Sequence, residues 1–341
     1  MNNKYFEELL KLVKEVNEIT DKNLKMDKIH YISVRGAFLY YTGVITNNDF
    51  TNAIMSIKND VEDLKYYEIR NKLINDLLDN NVLLYNFLVN NLKYYWCYII
   101  EKQNDDINID IEKSFIDFLK YVNCYDLYHS IKSKDQIAFQ SNILKHSICL
   151  DNRDDSYIII KNKNSLYEYL DLSHEIAHAL ENKLLAKHKR CFDSPFNSEI
   201  LSITFNRMFI EYLYQNNIIS KEEYLIILGN FEAIYFCFIR SAIFMSDNIN
   251  MGNYIINDYD INIFIDEKID NRSLTEYNYA IGRIGAFKLF DEWLKNDSLF
   301  IKNIPTLVDD LHHCGIKELL DNYDNNGLII EKELSKNFIK R

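Results

Sequence analysis

The sequence predicts a mainly α-helical protein with a small amount of β-structure. Only two prolines and eight glycines interrupt its 341 residues, so residues that end helices are sparse. Long segments carry apolar residues at three- and four-residue steps, which is the spacing of one buried helix face. The chain shows no internal repeat, low-complexity tract or flexible linker. We therefore expect its parts to pack as one unit.

In the first half of the chain the apolar spacing predicts a series of helices. The first covers residues 4–20, and others follow near residues 48–58, 60–79, 82–103 and 109–122.

One strand candidate comes next, at residues 156–160. The run Ser-Tyr-Ile-Ile-Ile is short, rich in β-branched residues and bounded by polar residues on both sides. A free edge of this strand could pair with an extended peptide, and an ordinary edge or hairpin strand fits the pattern equally.

Two capping patterns and a proline mark helix starts in the second half. Ser165 and Glu168 form a capping box that opens a helix over residues 166–187. Pro195 suits the first position of the next helix, and residues 221–246 form another.

The second capping box, Ser273 to Glu276, opens a helix that runs through about residue 294. Its first turns carry Gly282 and Gly285, three residues apart. We expect these glycines to allow close approach of a neighbouring helix.

The pentamer HEIAH, residues 174–178, lies in the middle of the helix predicted over residues 166–187. Positions four apart share one helix face, so the imidazoles of His174 and His178 can reach one metal ion. Glu175 lies about 100° round the helix, where it can contact a metal-bound water. Asp171, one turn before His174, is a candidate partner for its second nitrogen, and a solvated surface acid is the alternative.

A third ligand is predicted on the next helix. Glu199 follows His178 by 21 residues, which fits zinc peptidases whose third ligand is a glutamate on the following helix. Two imidazoles and one carboxylate leave a fourth tetrahedral position open for water. Position 184 is leucine, so the three-histidine form of the motif is absent. Glu211 is the weaker candidate for the third ligand, and Cys191 is disfavoured against a carboxylate.

The charge balance disfavours two classes of partner. With 39 Lys+Arg against 51 Asp+Glu, the net charge of −12 repels nucleic acid and anionic membranes. The N-terminus has no apolar signal-peptide core, and no uninterrupted apolar stretch approaches the roughly 18 residues that span a bilayer. The six cysteines show no metal-ligand spacing. We therefore expect a cytoplasmic protein without membrane or nucleic-acid partners, and its oligomeric state stays open.

Three blocks of the sequence resemble the oligoendopeptidase F and thimet-oligopeptidase family of HExxH zinc metallopeptidases. They are residues 157–180, residues 198–206 and residues 277–282 (Tyr-Asn-Tyr-Ala-Ile-Gly), in family order. The resemblance implies a mostly helical, two-lobed gluzincin-type peptidase, with a small sheet beside the active-site helix and a channel for short peptides. On this basis residues 151–341 would form the catalytic region, as two subdomains packed together, and residues 1–150 a helical N-terminal region.

The same resemblance implies a role for each matching residue. His174, His178 and Glu199 would bind one zinc ion per chain, and Glu175 would be the general base. Tyr277 and Tyr279 would be the candidates for stabilising the oxyanion. We therefore predict a zinc-dependent oligopeptidase that hydrolyses short peptides by attack of a zinc-bound water activated by Glu175.

Two departures from the family pattern motivate an alternative. A histidine usual in the family several residues before Tyr277 is missing, because residues 269–272 read Ile-Asp-Asn-Arg. The chain is also shorter than typical members, and Ala177 stands where glycine is usual. The alternative is a catalytically silent relative that binds peptides or a partner protein.

Overall fold

The computed structural model describes residues 3–58, 64–92, 111–139, 144, 146–152, 155–161, 166–186, 197–250, 255–257, 262–264, 272–273 and 275–322. The helices are α1 (Asn3–Asn17), α2 (Lys22–Tyr41), α3 (Asn47–Met55), α4 (Leu64–Leu92), α5 (Ile111–Tyr121), α6 (Tyr125–Ser133), α7 (Leu166–Ala186), α8 (Ser198–Gln215), α9 (Lys221–Asn250), α10 (Thr275–Lys295), α11 (Asp297–His313) and α12 (Ile316–Asn322). The strands are β1 (Ile137–Phe139), β2 (Ile148–Asn152), β3 (Asp155–Ile160), β4 (Ile255–Asn257), β5 (Asn262–Phe264) and β6 (Arg272–Ser273).

The predicted mainly helical fold with a small sheet beside the motif helix is confirmed. The helices predicted from residues 4, 48, 109, 166 and 221 are present as α1, α3, α5, α7 and α9. Helix α2 is absent from the predictions, because its apolar residues are spread round the helix and form no single stripe. The predicted helix-opening residues Ser165 and Pro195 lie outside the described residues.

The helices predicted over residues 60–79 and 82–103 are helical wherever the structure describes them, but the predicted break between them is wrong, because α4 runs unbroken from Leu64 to Leu92. The polar residues Asn80 and Asn81 interrupt the apolar spacing, so the sequence predicts that one helix ends there and another begins. In the structure Asn81 is buried, and its Nδ2 donates to the backbone oxygen of Ser246, 2.9 Å away. A buried asparagine with a hydrogen-bond partner is tolerated inside a helix, so no break is needed.

The chain divides into two units, Met1–Tyr67 with Ile111–Lys189, and Glu68–Asp110 with Arg190–Arg341. The proposal that residues 151–341 form the catalytic region stays a prediction.

In the first unit a three-stranded sheet lies against both α2 and α7. The central strand β3 pairs in parallel with β1 and antiparallel with β2. Tyr157 and Ile159 pack with Val34 and Phe38 of α2, so the alternate residues of β3 face the other side. Burial on both faces explains why β3 reads as a nearly continuous apolar run.

Of the two alternatives for this strand, a free edge for a peptide is wrong, and β3 is instead a hairpin strand paired with β2. Both of its sides are occupied, and β1 and β2 form the edges of the described sheet. A β-branched run marks burial and does not distinguish a central strand from an edge strand.

In the second unit α8, α9 and α10 pack together around a buried ionic cluster. Glu232 of α9 receives a hydrogen bond from Arg283 Nε at 2.9 Å and an ion pair from Arg207 Nη1 at 3.4 Å. Both arginines are fully buried, and their guanidinium groups also lie over the rings of Phe287 and Phe290. Buried charges require this kind of pairing.

Among the described residues, one helix, Lys221–Asp247, is long and apolar enough to cross a membrane by length and composition alone. One such helix is weak evidence for a membrane span, since core helices pass the same test. Glu232 lies inside this stretch and is ion-paired with α8 and α10, and Ile239 and Ala242 are fully buried. These contacts place one face of the helix in the core of the second unit.

Candidate metal centre

The two histidines of the motif meet on one face of α7. The Nε2 atoms of His174 and His178 lie 3.1 Å apart, and their ring centroids are 4.8 Å apart with the planes at 80°. Two nitrogens bound to a tetrahedral zinc at about 2.0–2.1 Å would be about 3.3 Å apart. The pair therefore has the spacing that one zinc ion requires.

Glu175 lies next to the histidine pair, on the side of α7 that faces the sheet. It is buried, and its negative charge contributes to a pKa of Cys149 well above the usual value for a thiol, although burial of the thiol is the larger cause. Cys149 belongs to β2, where it pairs with Ile158 on the face turned away from α2. The carboxylate of the predicted general base is thus near enough to β2 for its charge to act on Cys149.

Two carboxylates accompany the histidines on the same helix. Asp171 accepts a hydrogen bond of 2.6 Å from Ser147 Oγ. Burial raises the pKa of Asp171, and the hydrogen bond from Ser147, followed by the neighbouring His174, partly offsets this. Glu181 Oε2 lies 3.6 Å from Nδ1 of His178.

Glu199 stands in the first turn of α8, where a carboxylate is favoured by the helix dipole. One of its carboxylate oxygens lies 3.3 Å from Ser202 Oγ. Helix α10 approaches closely here: a methyl group on Gly282 would lie 2.4 Å from Glu199 Cβ. The predicted close approach at the paired glycines is therefore confirmed, since a methyl group on Gly285 would lie 2.9 Å from Ile200 Cδ1.

The candidate ligand atoms of His174, His178 and Glu199 all lie within 4.8 Å of one another. Two imidazoles and a carboxylate are a donor set that zinc prefers, so this cluster can hold a divalent metal ion. The weaker candidate Glu211 instead accepts hydrogen bonds from Tyr224 at 2.7 Å and from Gln215 at 3.2 Å. Cys191 lies outside the described residues.

The two predicted tyrosines occupy different surroundings. Tyr277 is fully buried, and its hydroxyl lies 3.1 Å from Ser246 Oγ. Burial raises the pKa of Tyr277, so the hydroxyl stays protonated. Tyr279 is only partly buried and stacks on Phe238 with ring centroids 4.7 Å apart.

A third tyrosine near Glu199 was not predicted from the sequence. Tyr235 of α9 is buried, its ring centroid lies 6.4 Å from that of Tyr279, and its pKa is well above the usual value. Burial is the main cause, followed by the negative charge of Glu199. No spacing rule marks Tyr235 among the aromatic residues of its helix, because its position depends on how α9 packs against α8 and α10.

No protein-family model and no curated protein matches this sequence. Two solved structures have a similar fold. One is a "putative oligoendopeptidase F" from Bacillus anthracis, at 10% identity and TM-score 0.43, with 93% of this chain and 62% of that chain covered. The other is a "putative peptidase" from Chlamydophila abortus, at 14% identity and TM-score 0.47, with 98% of this chain and 61% of that chain covered. The chain thus spans about three fifths of the length of each solved chain.

Proposed function

We propose that this protein is a zinc-dependent peptidase that hydrolyses short peptides. The observation that carries the proposal is the imidazole pair of α7, whose Nε2 atoms are 3.1 Å apart, with the carboxylate of Glu199 as third member of the cluster. A stabilising surface helix has no need of one buried and one half-buried imidazole at metal-ligand spacing, with a third donor from another helix.

His174, His178 and Glu199 would hold the ion. When bound, zinc would lower the pKa of a water ligand towards about 7 and polarise the scissile carbonyl. Glu175 follows the first ligand in sequence, and its buried carboxylate would take the proton of the attacking water on one oxygen. The same carboxylic acid would then deliver that proton to the nitrogen of the leaving amine.

Between the two tyrosines, Tyr279 is the better candidate for donating a hydrogen bond to the oxyanion. The hydroxyl of Tyr277 is already engaged by Ser246 in a fully buried position. Tyr279 is less buried and lies close to Tyr235. The negative charge of Glu199 contributes to the raised pKa of Tyr235, so this part of the second unit is near the candidate ligand. The three sequence blocks described above support peptides as the substrate class.

A second candidate function is the binding of peptides without cleavage. The buried hydrogen bond of Tyr277 favours it, because one of the two expected oxyanion donors then has another partner. The missing histidine before Tyr277 points the same way.

The test is a comparison of the wild type with Glu175→Gln. Metal content is measured by elemental analysis, and cleavage is followed by mass spectrometry on a mixed pool of short peptides. A peptidase should contain about one zinc per chain and lose cleavage in Glu175→Gln while the zinc remains. Zinc without cleavage in the wild type would favour the binding function. A wild type that takes up no zinc would refute both the metal site and the peptidase.

A further inference from the structure

The face of α7 that carries the histidines also carries two acids, in the order Asp171, His174, His178, Glu181. The spacings of three, four and three residues put all four side chains on one stripe of the helix. Asp171 is held by Ser147, as described above. Glu181 is the acid at the other end of the stripe, and neither the sequence motif nor the resemblance assigns it a role.

Glu181 lies beside the nitrogen of His178 that faces away from His174. Its Oε2 is 3.6 Å from Nδ1, while Nε2 of the same ring is 3.1 Å from His174. The side chain of Glu181 is 2% exposed, so water does not screen this contact. The two ring nitrogens of His178 therefore have separate neighbours, a carboxylate at Nδ1 and the candidate ligand cluster at Nε2.

A second, half-buried acid lies near His178 on the sheet. Asp151 of β2 pairs with Ser156 across the strands, on the face turned away from α2. Its carboxylate accepts hydrogen bonds of 2.8 Å from Ser156 Oγ and 3.3 Å from Cys149 Sγ. Burial raises the pKa of Asp151. The hydrogen bonds from Ser156 and Cys149 act in the opposite direction, followed by His178 and a hydrogen bond from Asn182. Asp151 is thus occupied by its own donors, and Glu181 is the acid placed at Nδ1.

A buried carboxylate beside an imidazole has a specific physical consequence. It favours the tautomer with the proton on Nδ1, which leaves the lone pair of Nε2 free to bind a cation. It also makes the imidazole a stronger donor. Burying this carboxylate costs free energy that is offset when the ring it faces binds a positive ion.

We propose that Glu181 is a positioning residue for His178, which sets its tautomer and strengthens its bond to the metal ion. This inference rests on the proposed function, since it needs a metal at His174, His178 and Glu199. Glu181 does not contact the substrate or the ion. It acts through the second nitrogen of one ligand.

The experiment compares zinc affinity in Glu181→Gln, the wild type and the control Glu168→Gln. The control removes the same charge from another buried glutamate of α7, ten residues before His178. Affinity is measured by competition with a chromogenic chelator between pH 6 and 8. Loss of an outer carboxylate typically weakens metal binding about 10- to 100-fold. We expect that loss in Glu181→Gln and less than about threefold change in the control.

Two further readouts separate positioning from a general structural role. The visible absorption of bound Co²⁺ should shift in Glu181→Gln, because one ligand binds more weakly or at a different angle. The thermal stability of the zinc-free protein should stay at or above the wild-type value in the same variant, because the buried charge is removed. If Glu181→Gln does not fold, as shown by the loss of a cooperative unfolding transition, Glu181→Asp is used instead. Its shorter side chain keeps the charge but moves it away from Nδ1, so it should also weaken zinc binding.

The outcomes distinguish this proposal from the proposed function. Wild-type zinc affinity and an unchanged cobalt spectrum in a folded Glu181→Gln would overturn the role of Glu181 and leave the peptidase untouched. Destabilisation of the zinc-free protein without any change in metal binding would overturn it as well. A wild type that binds neither zinc nor cobalt would overturn the proposed function, and this inference with it.

Discussion

Replacing Gly282 by alanine should disturb the metal centre through the backbone of α8. The added methyl group would lie 2.4 Å from Glu199 Cβ and 3.0 Å from its carbonyl carbon. Neither atom can rotate away, because both belong to or adjoin the helix backbone. Carbon atoms in contact are about 3.5–4.0 Å apart, so the two helices must separate by roughly 1 Å at this point.

The size of the effect follows from two opposing contributions. Overpacking in a close helix contact costs about 1–3 kcal/mol. Alanine in place of glycine inside a helix stabilises the folded state by about 1 kcal/mol. The net loss of stability should therefore be at most about 2 kcal/mol. A displacement of about 1 Å is much larger than the tolerance of a metal ligand, about 0.2 Å. We expect zinc affinity to fall by at least about tenfold while the protein stays folded.

The assay is chelator competition for zinc, with urea unfolding of the zinc-free protein alongside. Gly285→Ala is the matched control. Its methyl group would meet only the side chain of Ile200, at 2.9 Å from Cδ1, and that side chain can rotate. Gly285→Ala should change zinc affinity less than Gly282→Ala. Equal zinc affinity in Gly282→Ala and the wild type would refute the reasoning that α10 holds Glu199 in place.

Three further predictions concern the tyrosines, the ionic cluster and pH. Tyr279→Phe should lower kcat for peptide hydrolysis by about 100-fold with zinc content unchanged. Tyr277→Phe should mainly lower the free energy of unfolding, by about 1 kcal/mol. A larger loss of kcat in Tyr277→Phe than in Tyr279→Phe would reverse the assignment. Glu232→Ala should cost about 3–5 kcal/mol in urea unfolding, because two buried guanidinium groups lose their shared carboxylate, and Lys11→Ala in an exposed pair should cost nothing measurable. Because burial raises the pKa of Asp151, its ionised form weakens the folded state of the zinc-free protein, and this one contribution should become less unfavourable as pH falls through the raised pKa towards 3.8, the usual value. Asp151→Asn should therefore have a larger free energy of unfolding than the wild type at pH 7, and the difference should shrink on acidification. A difference that does not change with pH would contradict a raised pKa of Asp151.

The sequence predicts the histidine pair well because its geometry is local. Residues four apart on a helix must share a face, and no distant contact is needed to bring His174 and His178 together. The close helix contact at the two glycines of α10 can be predicted for a similar reason, since two residues without side chains on one helix permit a neighbouring helix to approach. Asp171 could also be named from spacing, and Glu181 could have been found by extending the same count by one turn.

The contacts that depend on distant pairing could not be read from the sequence. Asp151 lies near His178 only because β2 pairs with β3 in a particular register, and β2 itself carries mixed polar and apolar residues. Whether Tyr277 or Tyr279 reaches a substrate depends on the packing of α9 against α10, as the bond between Tyr277 and Ser246 illustrates. The central position of β3 likewise depends on β1, whose three residues give too short a pattern to recognise.

The hairpin β2–β3 and the helix α7 follow one another along the chain, from Ile148 to Ala186. Contacts between neighbours in sequence close small loops and form early in folding, with hairpins appearing in about 1–10 μs. Both imidazoles and the acids behind them come from this one stretch. Their arrangement therefore results from local folding, and two of the three candidate ligands would already be in position before a metal ion binds.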